Sequence, residues 1–224
     1  MDYNILHLTD IHGAGQNIAS ISNELRKADL VILSGDITHF GYSKDVVPII
    51  ENIANFNKNI YAIPGNCDYH EADKFLTESE INLHKRIIEI DRFTFCGLGG
   101  SLPCPGYTPF EYEESEAGSW LSDMKDKIKN IKPLIFVSHE PPVNTKNDRL
   151  TNGDHVGSIS VRKFIEDTCP LICLTGHIHE GIGVDAIGKC VLINPGPFRM
   201  GYYASIKITG ENSVNSTLKQ ITPR

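Results

Sequence analysis

ILHLTDIH at residues 5–12 sets the reading of the chain, and LVILSGD at 30–36 and IYAIPGN at 60–66 repeat it in kind. Each opens on a short apolar run, Ile5–Leu8, Leu30–Leu33 and Ile60–Ile63, and closes on a polar residue or a glycine turn. Runs of this length bounded by turn residues read as buried strands. Between them Ile18, Ile21, Leu25 and Ala28, and then Val46, Ile49, Ile50, Ile53 and Phe56, recur at helical spacing. The opening is therefore βαβαβ, which calls for a parallel sheet covered on both faces.

After residue 80 the pattern changes. Ile87–Ile90 and Phe93–Leu98 flank Asp91-Arg92 as a hairpin, and a helix follows with Ala117, Trp120, Leu121, Met124 and Ile128 on one face. A strand is expected at Leu134–Val137. The polar segment from Glu140 to Gly157, rich in Pro, Asn and Asp, reads as a loop of the length usually kept for function or disorder. A short helix from about Ser158 to Asp167 turns Val161, Phe164 and Ile165 inward. Strands are expected at Leu171–Leu174, Gly183–Ile187, Cys190–Ile193 and Tyr202–Ile208, with a last one near Ser213–Leu218. Without a repeat, a low-complexity tract or a linker, the expectation is one domain over residues 1–224.

Composition removes several function classes. No apolar stretch approaches the roughly 18 residues that span a bilayer. The N-terminal MDYNILHLTD has neither a basic region nor a long apolar core, so the expectation is a soluble, cytoplasmic protein with no membrane partner. A formal net charge of −7 speaks against nucleic acid as a partner, because such surfaces gather Lys and Arg. The six cysteines form no Cys-x-x-Cys pair. Those other than Cys67 are expected to be reduced, buried small hydrophobes.

The polar residues at the strand ends carry the chemistry. Asp10 and His12 follow the first strand, Asp36 the second, Asn66 the third, His139 the strand at 134–137, and His177 and His179 the strand at 171–174. In open α/β sheets ligands bind beyond the carboxyl ends of the strands, so these seven converge on one place. In Asp10-Ile11-His12 and His177-Ile178-His179 an extended backbone would turn both polar residues to one side and the Ile to the core. Gly35, Gly65 and Gly176 would let the next side chain turn inward. Singly, each is an ordinary loop residue. Turn chemistry accounts for Gly, Asp and Asn at strand ends, but not for His at three of them.

Four His, two Asp and one Asn form a nitrogen and oxygen donor set suited to Zn²⁺, Mn²⁺, Fe or Ni rather than Ca²⁺ or Mg²⁺. Seven donors are too many for one tetrahedral ion and fit two ions that share a carboxylate. Two such metals hydrolyse phosphate esters by polarising phosphoryl oxygens and making hydroxide available at neutral pH.

The blocks Asp10-Ile11-His12, Gly35-Asp36, Gly65-Asn66-Cys67-Asp68, Ser138-His139-Glu140-Pro141-Pro142 and Gly176-His177-Ile178-His179 resemble, in order, the calcineurin-like metallophosphoesterases. The resemblance runs from residue 10 to 179, with Asn194-Pro195-Gly196 similar to a further feature, and is greatest to the small Icc-related phosphoesterases of archaea and bacteria. It implies an α/β (α+β) fold, a four-layer αββα sandwich of two mixed β-sheets flanked by helices. It implies that Asp10, His12 and His179 hold one metal, that Asn66, His139 and His177 hold the other, and that Asp36 bridges them. It implies a phosphoesterase whose nucleophile is a hydroxide between the metals, a phosphodiesterase more than a phosphomonoesterase. A phosphomonoesterase acting on a nucleotide or small metabolite, or a non-catalytic scaffold of the same fold, are the alternatives; retention of all seven ligand positions speaks against the scaffold. The implied partner is a phosphate-ester small molecule or nucleotide, and homo-oligomerisation stays open.

Cys67 departs from the commoner Gly-Asn-His-Asp or Gly-Asn-His-Glu, in which the resemblance gives His the leaving-group proton and would have Asp68 orient it. A nucleophilic thiol would need a lowered pKa and a neighbouring base; a weak donor or a residue that simply fits would leave catalysis to the metals. Asp36, Asn66, His139 and Asp68 are thus the catalytic candidates, with His39 and His155 as candidate replacement donors. Activated esters such as nitrophenyl phosphates should then turn over well. Arg149 and Arg199 could meet a phosphate through the guanidinium fork, although a solvating role is the commoner one, and Tyr69 and His70 could shape the pocket.

Overall fold

A computed structural model of the chain describes residues 2–128, 132–210 and 212–221. Its elements are, in order, β1 (Tyr3–Leu8), α1 (Ser22–Lys27), β2 (Leu30–Ser34), α2 (Ser43–Ala54), β3 (Ile60–Ile63), α3 (His70–Glu78), β4 (Ile87–Ile90) and β5 (Phe93–Leu98). There follow α4 (Glu114–Lys127), β6 (Leu134–Ser138), α5 (Ile159–Thr168), β7 (Ile172–Leu174), β8 (Gly183–Ile187), β9 (Cys190–Asn194), β10 (Tyr202–Thr209) and β11 (Ser213–Gln220).

The strands form two mixed sheets, ordered β11-β10-β1-β2-β3 and β4-β5-β6-β7-β9-β8. In the first, β1, β2 and β3 run parallel while β10 pairs antiparallel with both β1 and β11. In the second, β5, β6, β7 and β9 are parallel, and β4 and β8 are antiparallel edges.

Period-two alternation builds the layers. Ile5, Leu30, Ile32 and Ile63 of the first sheet meet Phe93, Phe95, Ile135, Val137, Ile172 and Leu174 of the second in a shared core between the sheets. The alternate residues Leu6, Leu8, Val31 and Leu33 face outward onto Leu25, Val46, Ile49 and Ile53 of α1 and α2. Cys96, Leu98, Phe136 and Cys173 do the same toward Leu121, Val161 and Phe164 of α4 and α5. The four-layer sandwich is thereby the observed architecture, and every parallel strand has both faces covered.

Three expectations need correction. The helix read over residues 18–28 is a 3₁₀ segment, Gly15–Ile21, leading into a short α1, because Ile18, Ile21 and Leu25 bury completely and hold a tighter path against the sheet. Helix α3 was not expected: polar His70, Glu71, Asp73 and Lys74 dominate its window, and the buried Ala72 and Leu76 give it only a narrow apolar face. Of the cysteines expected to be buried, Cys96, Cys173 and Cys190 are, whereas Cys104 is half-buried in a cleft and Cys169 is exposed where it ends α5. No helix among the described residues is long and apolar enough to cross a membrane.

Candidate metal centre

All seven expected donors lie at the carboxyl ends of β1, β2, β3, β6 and β7, but the backbone that turns them inward is not extended. Asp10, His12, Asp36 and His177 have φ of 51°, 45°, 50° and 64°, the left-handed region that non-glycine residues enter at a cost. The surrounding hydrogen bonds hold them there: Asp10 N donates to Gly35 O at 3.1 Å and His12 N to Asp36 O at 2.8 Å. Ile11, fully buried between them, anchors the turn in the core as expected. Gly35, at φ +102°, must lack a Cβ for conformation and also for space, since a Cβ would strike the His139 ring. Gly65 and Gly176 must lack one for space, since a Cβ would strike the Asp36 amide and carboxylate in one case and the Thr9 hydroxyl in the other.

Donor atoms gather in two adjoining groups. In the first, His179 Nε2 lies 3.2 Å and His12 Nε2 3.8 Å from Asp10 Oδ1, and the two imidazole nitrogens are 3.4 Å apart. In the second, His139 Nε2 lies 3.0 Å from Asn66 Oδ1 and 3.4 Å from Asp36 Oδ1. Asp36 spans the groups, its other oxygen being 3.6 Å from His12 Nε2. His177 stands one ring further out. Its ring centroid is 5.2 Å from that of His139, and its Nε2 is 3.6 Å from Cys104 Sγ and 3.9 Å from Glu140 Oε2.

The neighbours fix which atoms face inward. His139 Nδ1 donates to Ser34 O at 2.7 Å, which leaves Nε2 to the centre. Asn66 Nδ2 donates to Thr108 Oγ1 at 3.0 Å, which turns Oδ1 the same way, and Thr108 in turn donates to Glu111 Oε1 at 2.6 Å. Asn194 Nδ2 donates to Ile178 O at 2.9 Å and ties down the turn that carries His177 and His179.

The electrostatics ask for a cation. Asp10 and Asp36 are both buried, which alone would raise their pKa values; hydrogen bonds and charge from His179, His139 and His12 hold both below the usual range. Burial likewise lowers His139, yet the Asp36 carboxylate outweighs it and lifts the imidazole to about 9. Imidazole nitrogens and carboxylate oxygens thus crowd together, the His139 proton standing where a cation would, and they form a nitrogen and oxygen set that divalent transition metals fit. Asp10, His12 and His179, and again Asp10, Asp36 and His139, place their donor atoms within 4.8 Å of one another.

Cys67 lies beside this centre without the features of a nucleophile. Burial, and then the Asp36 carboxylate, push its thiol up, so it stays protonated. Its amide donates to Asp36 Oδ1 at 2.8 Å. Asp68 is fully buried and accepts from Ile37 N, Thr38 N, Thr38 Oγ1 and Gly65 N at 2.7–3.1 Å. Its carboxylate is spent on joining the turns after β2 and β3.

The centre opens into a cleft of about 570 Å³. His39, exposed and not itself among the lining, lies 5.4 Å from His12 between ring centroids and shares with His12 and Cys67 a cluster of donor atoms within 4.8 Å. His155 is tied to the buried Asp148 at 2.8 Å. Arg149 is exposed next to Leu150 and Arg199 is exposed in the 3₁₀ turn Phe198–Met200, where its amide donates to Asp10 O at 3.2 Å; no Lys or Arg is among the described residues that line the cleft. Tyr69 and His70 shape other surfaces: Tyr69 stacks on Tyr42 at 4.5 Å, and His70 lines a separate cavity with Phe110, Tyr112 and Trp120. Sequence reasoning missed Glu140, Cys104, Leu102, Leu150 and Val156, all of which line the cleft. Only Glu140, adjacent to His139, had a signal.

The family model described as calcineurin-like phosphoesterase matches residues 3–181. The chain is 37% identical over 198 residues to an uncharacterized protein of Methanocaldococcus jannaschii, MJ1162, covering 86% of this chain and 88% of that one. It is 32% identical over 184 residues to the "Probable glycerophosphodiester phosphodiesterase GpdQ" of Arcobacter nitrofigilis, covering 76% of this chain and 64% of that protein. Among solved structures, TT1561 of Thermus thermophilus superposes with a TM-score of 0.71 at 18% identity, covering 97% and 99% of the two chains.

Proposed function

The chain belongs to the calcineurin-like phosphoesterases, hydrolases of phosphate esters that use divalent metals, and on that premise we propose that it is a dinuclear phosphoesterase acting on diesters in preference to monoesters. The observation that carries this reading is Asp36, whose two oxygens face His139 at 3.4 Å and His12 at 3.6 Å and so serve both donor groups.

Asp10, His12 and His179 would hold one ion, Asn66, His139 and His177 the other, and Asp36 both. A divalent pair, when bound, neutralises phosphoryl charge and supplies hydroxide at neutral pH. The chain's own part is to keep acceptors inward: Ser34 O fixes the His139 tautomer, Thr108 fixes the Asn66 amide, and Asp68 fixes the turns. A replacement donor of the leaving-group proton would be His39, a reading supported by its ring lying 5.4 Å from that of His12.

Preference for a diester follows from charge. A monoester dianion needs cations beyond the metal positions, and no Lys or Arg is among the described lining residues, which leaves only the exposed Arg149 and Arg199 nearby. The relative named as a glycerophosphodiester phosphodiesterase agrees with this. The test is turnover by Mn²⁺- or Zn²⁺-loaded protein of bis(4-nitrophenyl) phosphate beside 4-nitrophenyl phosphate. Faster, chelator-sensitive cleavage of the diester is expected; cleavage of the monoester alone would overturn the preference, and none of either would overturn the reading.

A further inference from the structure

Beyond the metal ligands, the cleft is walled by aliphatic side chains: Leu102, Pro103 and Pro105 from residues 99–113, Leu150 and Val156 from residues 140–157, and Ile178 from the turn between the two histidines. Val156 leaves 40% of its surface in water. A site for a charged phosphoryl group has no need of such a wall, and apolar surface left open beside one marks what else must bind there.

The wall is built rather than incidental. Leu102 N donates to Glu140 Oε2 at 3.0 Å and Cys104 N to Glu111 Oε1 at 3.2 Å, which pins the first segment. In the second, Leu150 N donates to Asp154 O at 2.9 Å and Val156 N to Asp148 O at 3.2 Å. Asp148, fully buried, also accepts from Asn144 N, Thr145 N and Gly157 N. The aliphatic groups are thus presented on a preformed backbone, which lowers the ordering cost of an occupant. At about 570 Å³ the cleft has room for more than a phosphate. Apart from the ligand imidazoles, no aromatic ring is among its described lining residues to stack a base.

We propose that the substrate is a phosphodiester bearing a hydrocarbon ester group, which lies on the wall of Leu102, Leu150, Val156 and Ile178 while the phosphoryl group lies over the metal positions that Asp36 and its neighbours would hold. The proposal rests on the phosphodiesterase reading and names the class of ester it serves. Burial of each methylene on such a surface is worth up to roughly fourfold in binding.

The test is a series of 4-nitrophenyl alkyl phosphates, methyl, propyl and hexyl, with the 2,3-dihydroxypropyl ester as a polar counterpart. Hydrolysis adds water's oxygen to phosphorus and releases 4-nitrophenolate, which is read directly. kcat/KM should rise by about tenfold or more from methyl to hexyl, with the dihydroxypropyl ester below propyl. Leu150→Asn and Val156→Asn, both at accessible positions, should flatten the series. A flat series, or a dihydroxypropyl ester that matches hexyl, overturns the proposal. Calorimetric titration with methyl and hexyl methylphosphonate reads the wall without turnover. Tighter hexyl binding in a protein that cleaves nothing would overturn the phosphodiesterase reading and keep the wall, and equal binding would overturn the wall.

Discussion

On one side of the cleft, Asp10, Asp36 and Asn66 stand within three residues of the ends of β1, β2 and β3, the first two in turns bent through left-handed residues. On the other, Leu102, Leu150 and Val156 come from two loops of more than ten residues each, between β5 and α4 and between β6 and α5. The short turns have no freedom to move a ligand without moving a strand. The long loops are held at their base by Glu140 and Asp148 but can change their side chains without touching the core. The short turns, with the histidines after β6 and β7, are assigned the chemistry and the aliphatic residues of the long loops the choice of substrate, and variants of each can break that division.

The largest effect is expected at the residue that serves both donor groups. Asp36→Asn should lower turnover of bis(4-nitrophenyl) phosphate by roughly 10³-fold or more, the several kcal/mol that metal assistance supplies. A loss under tenfold would remove the bridging role.

The buried carboxylates Asp68 and Asp148 make a matched pair, one for each side. Replacing either by Ala strands buried N–H donors and should cost about 2–4 kcal/mol of stability in a denaturant titration. Only Asp68→Ala should also reduce bound metal, because Asp68 joins the turns carrying Asp36 and Asn66. If Asp148→Ala lost metal equally, the division between the two sides would fail.

Cys67→His restores a proton donor at the position where the family's commoner motif has one. The rate on a dialkyl phosphate should rise by about tenfold, less than the full range of general-acid assistance, while the rate on bis(4-nitrophenyl) phosphate changes little. Equal gains on both would mean that proton donation is not what limits poor leaving groups.

A last effect lies outside the cleft, at His84, which lines a separate cavity. Burial lowers His84 to about 3, with the charge of Lys85 adding to it, while its Nδ1 accepts from Gly99 N at 2.8 Å. Its folded pKa lies below the unfolded value of 6.5, so protonation favours unfolding. The stability is whole above pH 6.5 and falls by about 1.4 kcal/mol per pH unit below it, toward the folded pKa. Thermal melts at pH 7 and pH 5 should therefore separate more for the parent than for His84→Asn, and equal separations would place the acid-sensitive group elsewhere.

Much of this was legible in the chain. Strand ends could be read because apolar runs stop abruptly at Asp10, Asp36, Asn66, His139 and His177, and that polarity break survives in any local conformation. The sheet-on-sheet packing came through resemblance rather than from the runs themselves, since Phe93 and Phe95 look apolar without saying what they face. The turn geometry at Asp10 and His12 was misjudged because a left-handed aspartate is stabilised by partners such as Gly35 O and Asp36 O, distant in sequence. The cleft wall was invisible for a similar reason. Leu102 and Val156 are single aliphatic residues in polar loops, and only folding brings them to one surface.

The central claim is that one carboxylate joins two metal positions, and metal per chain tests it most directly. Elemental analysis after equilibration with Mn²⁺ or Zn²⁺ should give two ions for the parent, close to one for Asn66→Ala, and close to none for Asp36→Asn. Two ions retained by Asp36→Asn would contradict the account.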